Sequence, residues 1–340
     1  MLQHLLNYLD DEPESPPDYS LIRVSRRAMA TSFEMALPMG TPDAIAAAED
    51  ALDVIDAVED QLTVYRDYSE VSRLNVSAAN GAVGVERNLF DFLMTCSGWT
   101  RETEGAFDIA TGALVKAWGF YTRQGQVPTP RERSTAMAKT GMRHVILNAE
   151  ACSVKFRVPG LELNFGACGK GYALDRAADL LRNRWGIRSA LLHAGGSSVY
   201  ALGNPPGNER GWPIRLRHPW DAERSLGTLY LRNQGLGTSA ATFQHFDYNG
   251  RKLGHLLDPR SGWPVETTAS ANAIAPSAAE ADAMSTAAFV LGTNAERLTR
   301  LRPSLGLLVL PLAASQAPPA KPQAAFNLAP DQYSPPADPD

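Results

Sequence analysis

Asp282 and Thr286 stand four residues apart, so a helix through them would set both on one face. A carboxylate beside a hydroxyl is a hard oxygen donor set, suited to Mg²⁺. The same pair also reads as an acid near a helix N-terminus and a threonine bonding back to a carbonyl. A second group is Gly166-Ala167-Cys168-Gly169-Lys170-Gly171, between the apolar alternation Leu161, Leu163, Phe165 and the helical spacing Ala173, Leu174, Ala177, Ala178, Leu181. Strand, glycine turn and helix in that order aim backbone N–H groups at one point, which suits a phosphate or pyrophosphate. A tight bend with glycines for backbone geometry alone fits the same residues.

The turn matches neither common nucleotide motif. A P-loop needs glycine five residues before the Gly-Lys pair and a hydroxyl after the lysine, where this chain has Asn164 and Gly171. The glycines fall as G-x-x-G-x-G, not as the dinucleotide fingerprint. His255-Leu256-Leu257-Asp258-Pro259-Arg260-Ser261-Gly262 places a proton acceptor, an acid and a base in a proline–glycine turn, where His255 can act near neutral pH or Asp258 can simply bond its own backbone. His193-Ala194-Gly195-Gly196-Ser197-Ser198 ends a strand in glycines that permit close approach of a flat ligand, or form a bulge. Gly105-Ala106-Phe107-Asp108 sets an aromatic and an acid beside glycine, ahead of Trp118-Gly119-Phe120, and serves either to hold a ring system or to start a packed helix. No G-x-S-x-G, H-E-x-x-H or His/Cys metal cluster occurs.

The elements expected to position these residues are helices and strands without regular β-α alternation, which favours an α+β fold. Thr41-Pro42 opens a helix with an apolar face of Ile45, Ala48, Leu52, Ile55, Val58 and Leu62. Further helices are expected over Leu89 to Thr103, after Lys170, and over Ala278 to Leu291. Strands are expected at Phe33–Leu37, His144–Leu147, Ser153–Val158, Leu161–Phe165, Ser189–His193, Gly227–Leu231, Ser270–Ala275 and Gly306–Leu310.

The 340 residues are 44% hydrophobic and 20% charged, an ordinary globular composition. A net charge of −5 gives no reason to expect nucleic acid as a partner. Cys96, Cys152 and Cys168 lack zinc or disulfide spacing. Residues 1–21 read as a flexible lead-in, 22–312 as the folded body, and 313–340, with seven prolines and few large apolar residues, as a disordered tail. No basic leader, lipobox or membrane-length apolar run is seen, so a cytoplasmic protein is expected, or an exported one if the true N-terminus lies upstream.

Seven blocks in this order resemble the FAD:protein FMN transferases, the ApbE flavin-transferase family. They are Met29 to Phe33, Leu62 to Asn75, Gly105-Ala106-Phe107-Asp108 through Phe120, Gly169 to Asp175, Gly195-Gly196, His255 to Gly262, and Ala281 to Thr286. The resemblance implies an α+β fold of mixed sheets with packed helices and an FAD cleft. It implies FAD and Mg²⁺, with FMN moved to a Thr or Ser hydroxyl of a target protein and AMP released. It further implies that Met29, Tyr65, Ala106, Phe107, Asp108, Asn164, Lys170 and Leu256 contact FAD. Asp282, Thr286, Ser285 and the Ala167 carbonyl would hold the metal, and His255 or a nearby carboxylate would take the proton. Two departures stand out. Asn164 occupies a place usually held by aspartate, and after Gly237-Thr238-Ser239 the usual arginine position holds Gln244 or His245. An FAD pyrophosphatase and a non-catalytic flavin-binding protein are the alternative expectations.

Overall fold

The computed structural model describes residues 19–122, 125–221, 223–240, 245–248, 251–312 and 324–336. Its frame is an eight-stranded sheet of β1 (Leu21–Ala28), β2 (Thr31–Pro38), β6 (Ala190–Ala194), β7 (Ser198–Leu202), β10 (Gln234–Ala240), β15 (Thr268–Ala275), β16 (Gly306–Pro311) and β17 (Ala324–Phe326), in that spatial order with every neighbour antiparallel. One face carries α1 (Ala44–Leu62), α6 (Gly169–Asn183) and α7 (Ala278–Leu291) over the main core, in which Phe33, Met35, Leu52, Ile55, Leu174 and Phe289 are buried. The other face packs on a small sheet of β8 (Trp212–Arg217), β9 (Ser225–Leu231) and β18 (Tyr333–Ser334). The architecture is α+β.

Smaller units finish the body. β3 (Val83–Gly84), β4 (Val145–Asn148) and β5 (Ser153–Phe156) form a three-stranded sheet beside α2 (Glu70–Ser77) and α3 (Arg87–Glu102). A satellite core of Leu114, Trp118, Phe120, Ala136 and Leu253 joins α4 (Gly112–Ala117) and α5 (Pro130–Ala138) to the hairpin β11 (His245–Tyr248)–β12 (Arg251–Gly254). β13 (Leu257–Asp258) and β14 (Trp263–Pro264) make a second hairpin, and α8 (Glu296–Leu301) precedes β16.

α7 is apolar almost all round, because it lies between the sheet and α6. Its approach requires glycine beneath it: a Cβ at Gly237 of β10 would meet the Ala281 carbonyl oxygen at 2.3 Å. Among the described residues no helix is long and apolar enough to cross a membrane.

Several expectations need correction. The first helix begins at Ala44, not at Thr41-Pro42; the Thr41 hydroxyl donates to the Pro38 carbonyl at 2.7 Å, closing a turn off β2. Ile45 points outward at 59% exposure and is not part of the apolar face. Leu161–Phe165 is no strand of a sheet. Its backbone is satisfied elsewhere: Asn75 bonds both the N–H and carbonyl of Leu163, Gly112 N–H donates to Glu162, and Asn164 N–H donates to Ile109. The segment expected to be a disordered tail contributes β17 and β18, each adding to a sheet edge; its residues 313–323 and 337–340 lie outside the described residues, as do 1–18 of the expected lead-in.

Candidate active site

The glycine turn and α7 meet through one carboxylate. Asp282 is 6% exposed, and its Oδ2 accepts hydrogen bonds from Gly171 N–H at 2.8 Å and from the Ser198 hydroxyl at 2.9 Å. Three elements, α6, β7 and α7, therefore converge on it. Burial pushes its carboxyl up to about 6, against the opposing pull of the Lys170 charge, Ser198 and Gly171. Among the described residues Oδ1 takes no protein donor. One helical turn later, the Ser285 and Thr286 hydroxyls both donate to the Asp282 carbonyl, at 2.9 and 3.1 Å. Ser239 on β10 bridges them, at 3.0 Å from Ser285 and 3.3 Å from Thr286. Four hydroxyls and a carboxylate thus share one end of the sheet.

These donors fit a Mg²⁺ ion in kind. All are oxygens, Asp282 keeps a carboxylate oxygen open, and the Ala167 carbonyl lies in the turn just before α6. Among the described residues no group of three or more His, Cys, Asp or Glu is placed to hold a metal, so the set depends on one carboxylate supplemented by hydroxyls and backbone. A surface groove of about 420 Å³ between α4 and α5, lined by Ala113, Lys116, Arg131 and Lys139, holds none of these groups. The chemistry of the donors, rather than that groove, locates the site.

A second carboxylate fixes α7. Asp175, on α6, accepts from the N–H groups of Ala278 and Ala279 at 2.7 and 2.9 Å, capping the helix that carries Asp282. Burial pushes the Asp175 carboxyl up to about 7, despite those two donors. The folded chain therefore holds this proton more tightly than the unfolded one, whose aspartates titrate near 3.8. The contribution is complete below about pH 4 and is lost as pH rises to about 7. In metal-free protein, the melting temperature of Asp175→Asn is expected to fall less between pH 4 and 7 than that of the parent. Calorimetry across that range checks this, and equal slopes would refute it.

The remaining expected residues fall into two places. Asn164 lies just ahead of the turn: its Oδ1 accepts from Gly166 N–H at 2.8 Å and its Nδ2 donates to the Tyr121 hydroxyl at 3.0 Å. Tyr65, 73% exposed, meets the Tyr121 ring edge-on at 5.7 Å. Met29 and Ala30 form the two-residue β1–β2 turn with φ of 48° and 60°, a conformation that costs non-glycine residues energy. Gly195 packs beside that turn, its N–H donating to the Ser32 carbonyl.

Ala106 and Phe107 are fully buried, and the Asp108 carboxylate serves Ala110 and Met142 N–H groups. The Ala106 and Phe107 side chains are therefore turned into the protein, and Asp108 is held by the backbone around it. His255 and Leu256 lead into the β13–β14 hairpin, whose turn is set by Asp258 gripping Arg260 with two 2.9 Å bonds. Arg260 Cγ lies 3.6 Å from where a Cβ on Gly105 would stand, so the two loops adjoin. Gln244 is outside the described residues, as is the side chain of His245.

Ser198, Ser239, Asp175 and Tyr121 were not singled out from the sequence. Serines next to glycine pairs were visible, but nothing in their spacing showed that β7 and β10 would be neighbours facing α7.

Known proteins resemble this chain over most of its length. The ApbE family profile matches residues 29–308. A FAD:protein FMN transferase of Klebsiella pneumoniae (strain 342) is 34% identical over 243 residues, covering 71% of this chain and 74% of that protein. One from Escherichia coli (strain K12) is 30% identical over 264 residues, covering 75% and 74%. Among solved structures, the ApbE protein of Thermotoga maritima superposes with a TM-score of 0.78 at 25% identity, over 86% of this chain and 94% of its own. The apo Pseudomonas stutzeri flavinyl transferase ApbE gives 0.76 at 26%, over 87% and 92%. The class defined by fold and relatives is that of a transferase. More narrowly, this chain belongs to the ApbE family.

Proposed function

We propose that this chain is a Mg²⁺-dependent FAD:protein FMN transferase. It takes FMN from FAD to a Thr or Ser hydroxyl of a target protein and releases AMP. The observation that carries the reading is the Asp282 carboxylate, held by Gly171 N–H and the Ser198 hydroxyl against the first turn of α6, with one oxygen still open.

In the reaction, the acceptor oxygen bonds to the FMN phosphorus, the pyrophosphate P–O bond to AMP breaks, and the hydroxyl proton passes to a base. Mg²⁺, when bound, supplies positive charge against the charge gathering on the phosphoryl oxygens. Asp282, Thr286, Ser285 and the Ala167 carbonyl would hold it. Lys170 adds a second cation beside the turn and faces the diphosphate by charge, since the N–H groups of Gly166, Cys168, Gly169 and Gly171 are already bonded within the protein. His255, at the head of its hairpin, is the candidate for the proton. Tyr65 offers an exposed ring to a flat part of the substrate.

Incubation with FAD and Mg²⁺ plus an acceptor protein, followed by chromatography, is expected to give AMP, and to give none when Mg²⁺ is chelated. Equal AMP with and without chelator would remove the metal from the account.

A further inference from the structure

We propose that Tyr121 is a ligand-positioning residue of this site, donating its phenolic hydrogen to an in-plane acceptor on the edge of a planar heteroaromatic ring seated against Tyr65. The inference rests on the FAD reading above and assigns a contact that reading does not contain.

The hydrogen bonds around Asn164 fix the direction of the donor. Gly166 N–H needs an acceptor, so the Asn164 Oδ1 faces it at 2.8 Å. That leaves Nδ2 toward Tyr121, and Nδ2 can only donate, so the phenol oxygen accepts at 3.0 Å. A phenol carries one hydrogen. Among the described residues no protein acceptor takes it, so it is available for a ligand. Burial pushes the Tyr121 hydroxyl up to about 12, which keeps it a donor across the physiological range.

The ring itself is held on several sides. Tyr65 meets it at 5.7 Å with 66° between planes. The Lys116 ammonium sits 5.4 Å from its centroid while pairing with Glu162 at 2.6 Å. Tyr65 in turn is 73% exposed, so its ring is open to a flat partner. Both tyrosines stand beside the glycine turn, because Asn164, which Tyr121 bonds, is two residues from Gly166. The ring is either the isoalloxazine or the adenine of FAD, since both carry in-plane acceptors.

This arrangement changes what Asn164→Asp should do. A carboxylate at 164 only accepts, so the Tyr121 hydrogen would turn inward to it and be lost to the ligand. With Tyr121→Phe already made, the introduced carboxylate has no phenol to capture and is free to accept from a ligand N–H. The effect of Asn164→Asp on binding should therefore reverse sign with the residue at 121.

The test is a titration of FAD by flavin fluorescence on the parent, Tyr121→Phe, Asn164→Asp and the double variant, each checked for an unchanged melting temperature. Tyr121→Phe is expected to weaken FAD roughly five- to tenfold, the loss of one neutral hydrogen bond. Asn164→Asp should weaken it alone and strengthen it in the Tyr121→Phe background. Titrations with FMN and with ADP identify the ring: selective loss of FMN points to isoalloxazine, selective loss of ADP to adenine, and either supports the proposal. Unchanged FAD affinity in Tyr121→Phe, or the same sign for Asn164→Asp in both backgrounds, overturns it. A parent that binds no FAD would instead overturn the FAD reading itself.

Discussion

Asp282→Ala is expected to lower FMN transfer on the order of 10²–10³-fold, about 3–4 kcal/mol of lost transition-state stabilisation. The carboxylate is the only acidic side chain in its donor set, so its loss leaves hydroxyls and one carbonyl to hold a divalent cation. On the proposed reading, affinity for Mg²⁺ falls with it. Removal also strands two buried donors, Gly171 N–H and the Ser198 hydroxyl, at about 1–3 kcal/mol for an unsatisfied group. Two readouts separate the effects. Asp282→Asn keeps a side chain of the same shape to receive both donors, so it should fold close to the parent yet transfer no faster than the alanine variant. The parent's melting temperature should rise with Mg²⁺, while neither variant's should. Parent-like transfer by Asp282→Asn would remove the carboxylate from the chemistry.

Gly171→Ala should be strongly damaging to the site. Its Cβ would stand 2.2 Å from the Ala278 carbonyl oxygen, 2.4 Å from that carbonyl carbon and 2.6 Å from Ala279 N. All three are backbone atoms of the first turn of α7, so no rotamer change relieves the clash. The helices must part, at about 1–3 kcal/mol or more, which is several degrees of melting temperature. Parting them also draws Gly171 N–H from Asp282 and breaks the register between the turn and the proposed metal donors. Transfer should fall with stability, and added Mg²⁺ should recover little of it. Gly81→Ala is the control: nothing lies within 4 Å of its Cβ, so thermal melting should be unchanged within about 0.5 kcal/mol. A Gly171→Ala variant as stable and active as Gly81→Ala would mean that the contact between α6 and α7 is not what positions the site.

The chemistry-bearing residues were legible because they are local. Asp282 and Thr286 lie one helical turn apart, and α7 runs over the expected span, Ala278–Leu291. The glycine turn announced itself by composition. What the sequence concealed was long-range. Ser198 and Ser239 reach Asp282 and its neighbours only because β7 and β10 pair, 37 residues apart between Val199 and Leu236 in register. Leu161–Phe165 shows the reverse error. Its alternation is real, but the buried side chains answer to the core, while Asn75, 88 residues away, takes the backbone bonds a strand neighbour would have made. Thr41-Pro42 misled because a threonine–proline pair closes a turn as readily as it opens a helix, and here the Pro38 carbonyl was in reach. Asn164 looked from the sequence like a lost charge. In the fold it is one half of a pair with Tyr121, a residue whose spacing carried no signal.

The site around Asp282 is proposed to transfer FMN to a protein hydroxyl. The most direct measurement is mass spectrometry of acceptor proteins incubated with this chain, FAD and Mg²⁺, with AMP quantified in the same reaction. The account predicts FMN on a Ser or Thr peptide in amounts matching the AMP released, with both absent for Asp282→Ala. AMP and free FMN in equal amounts, with no modified peptide, would contradict it and make water the acceptor.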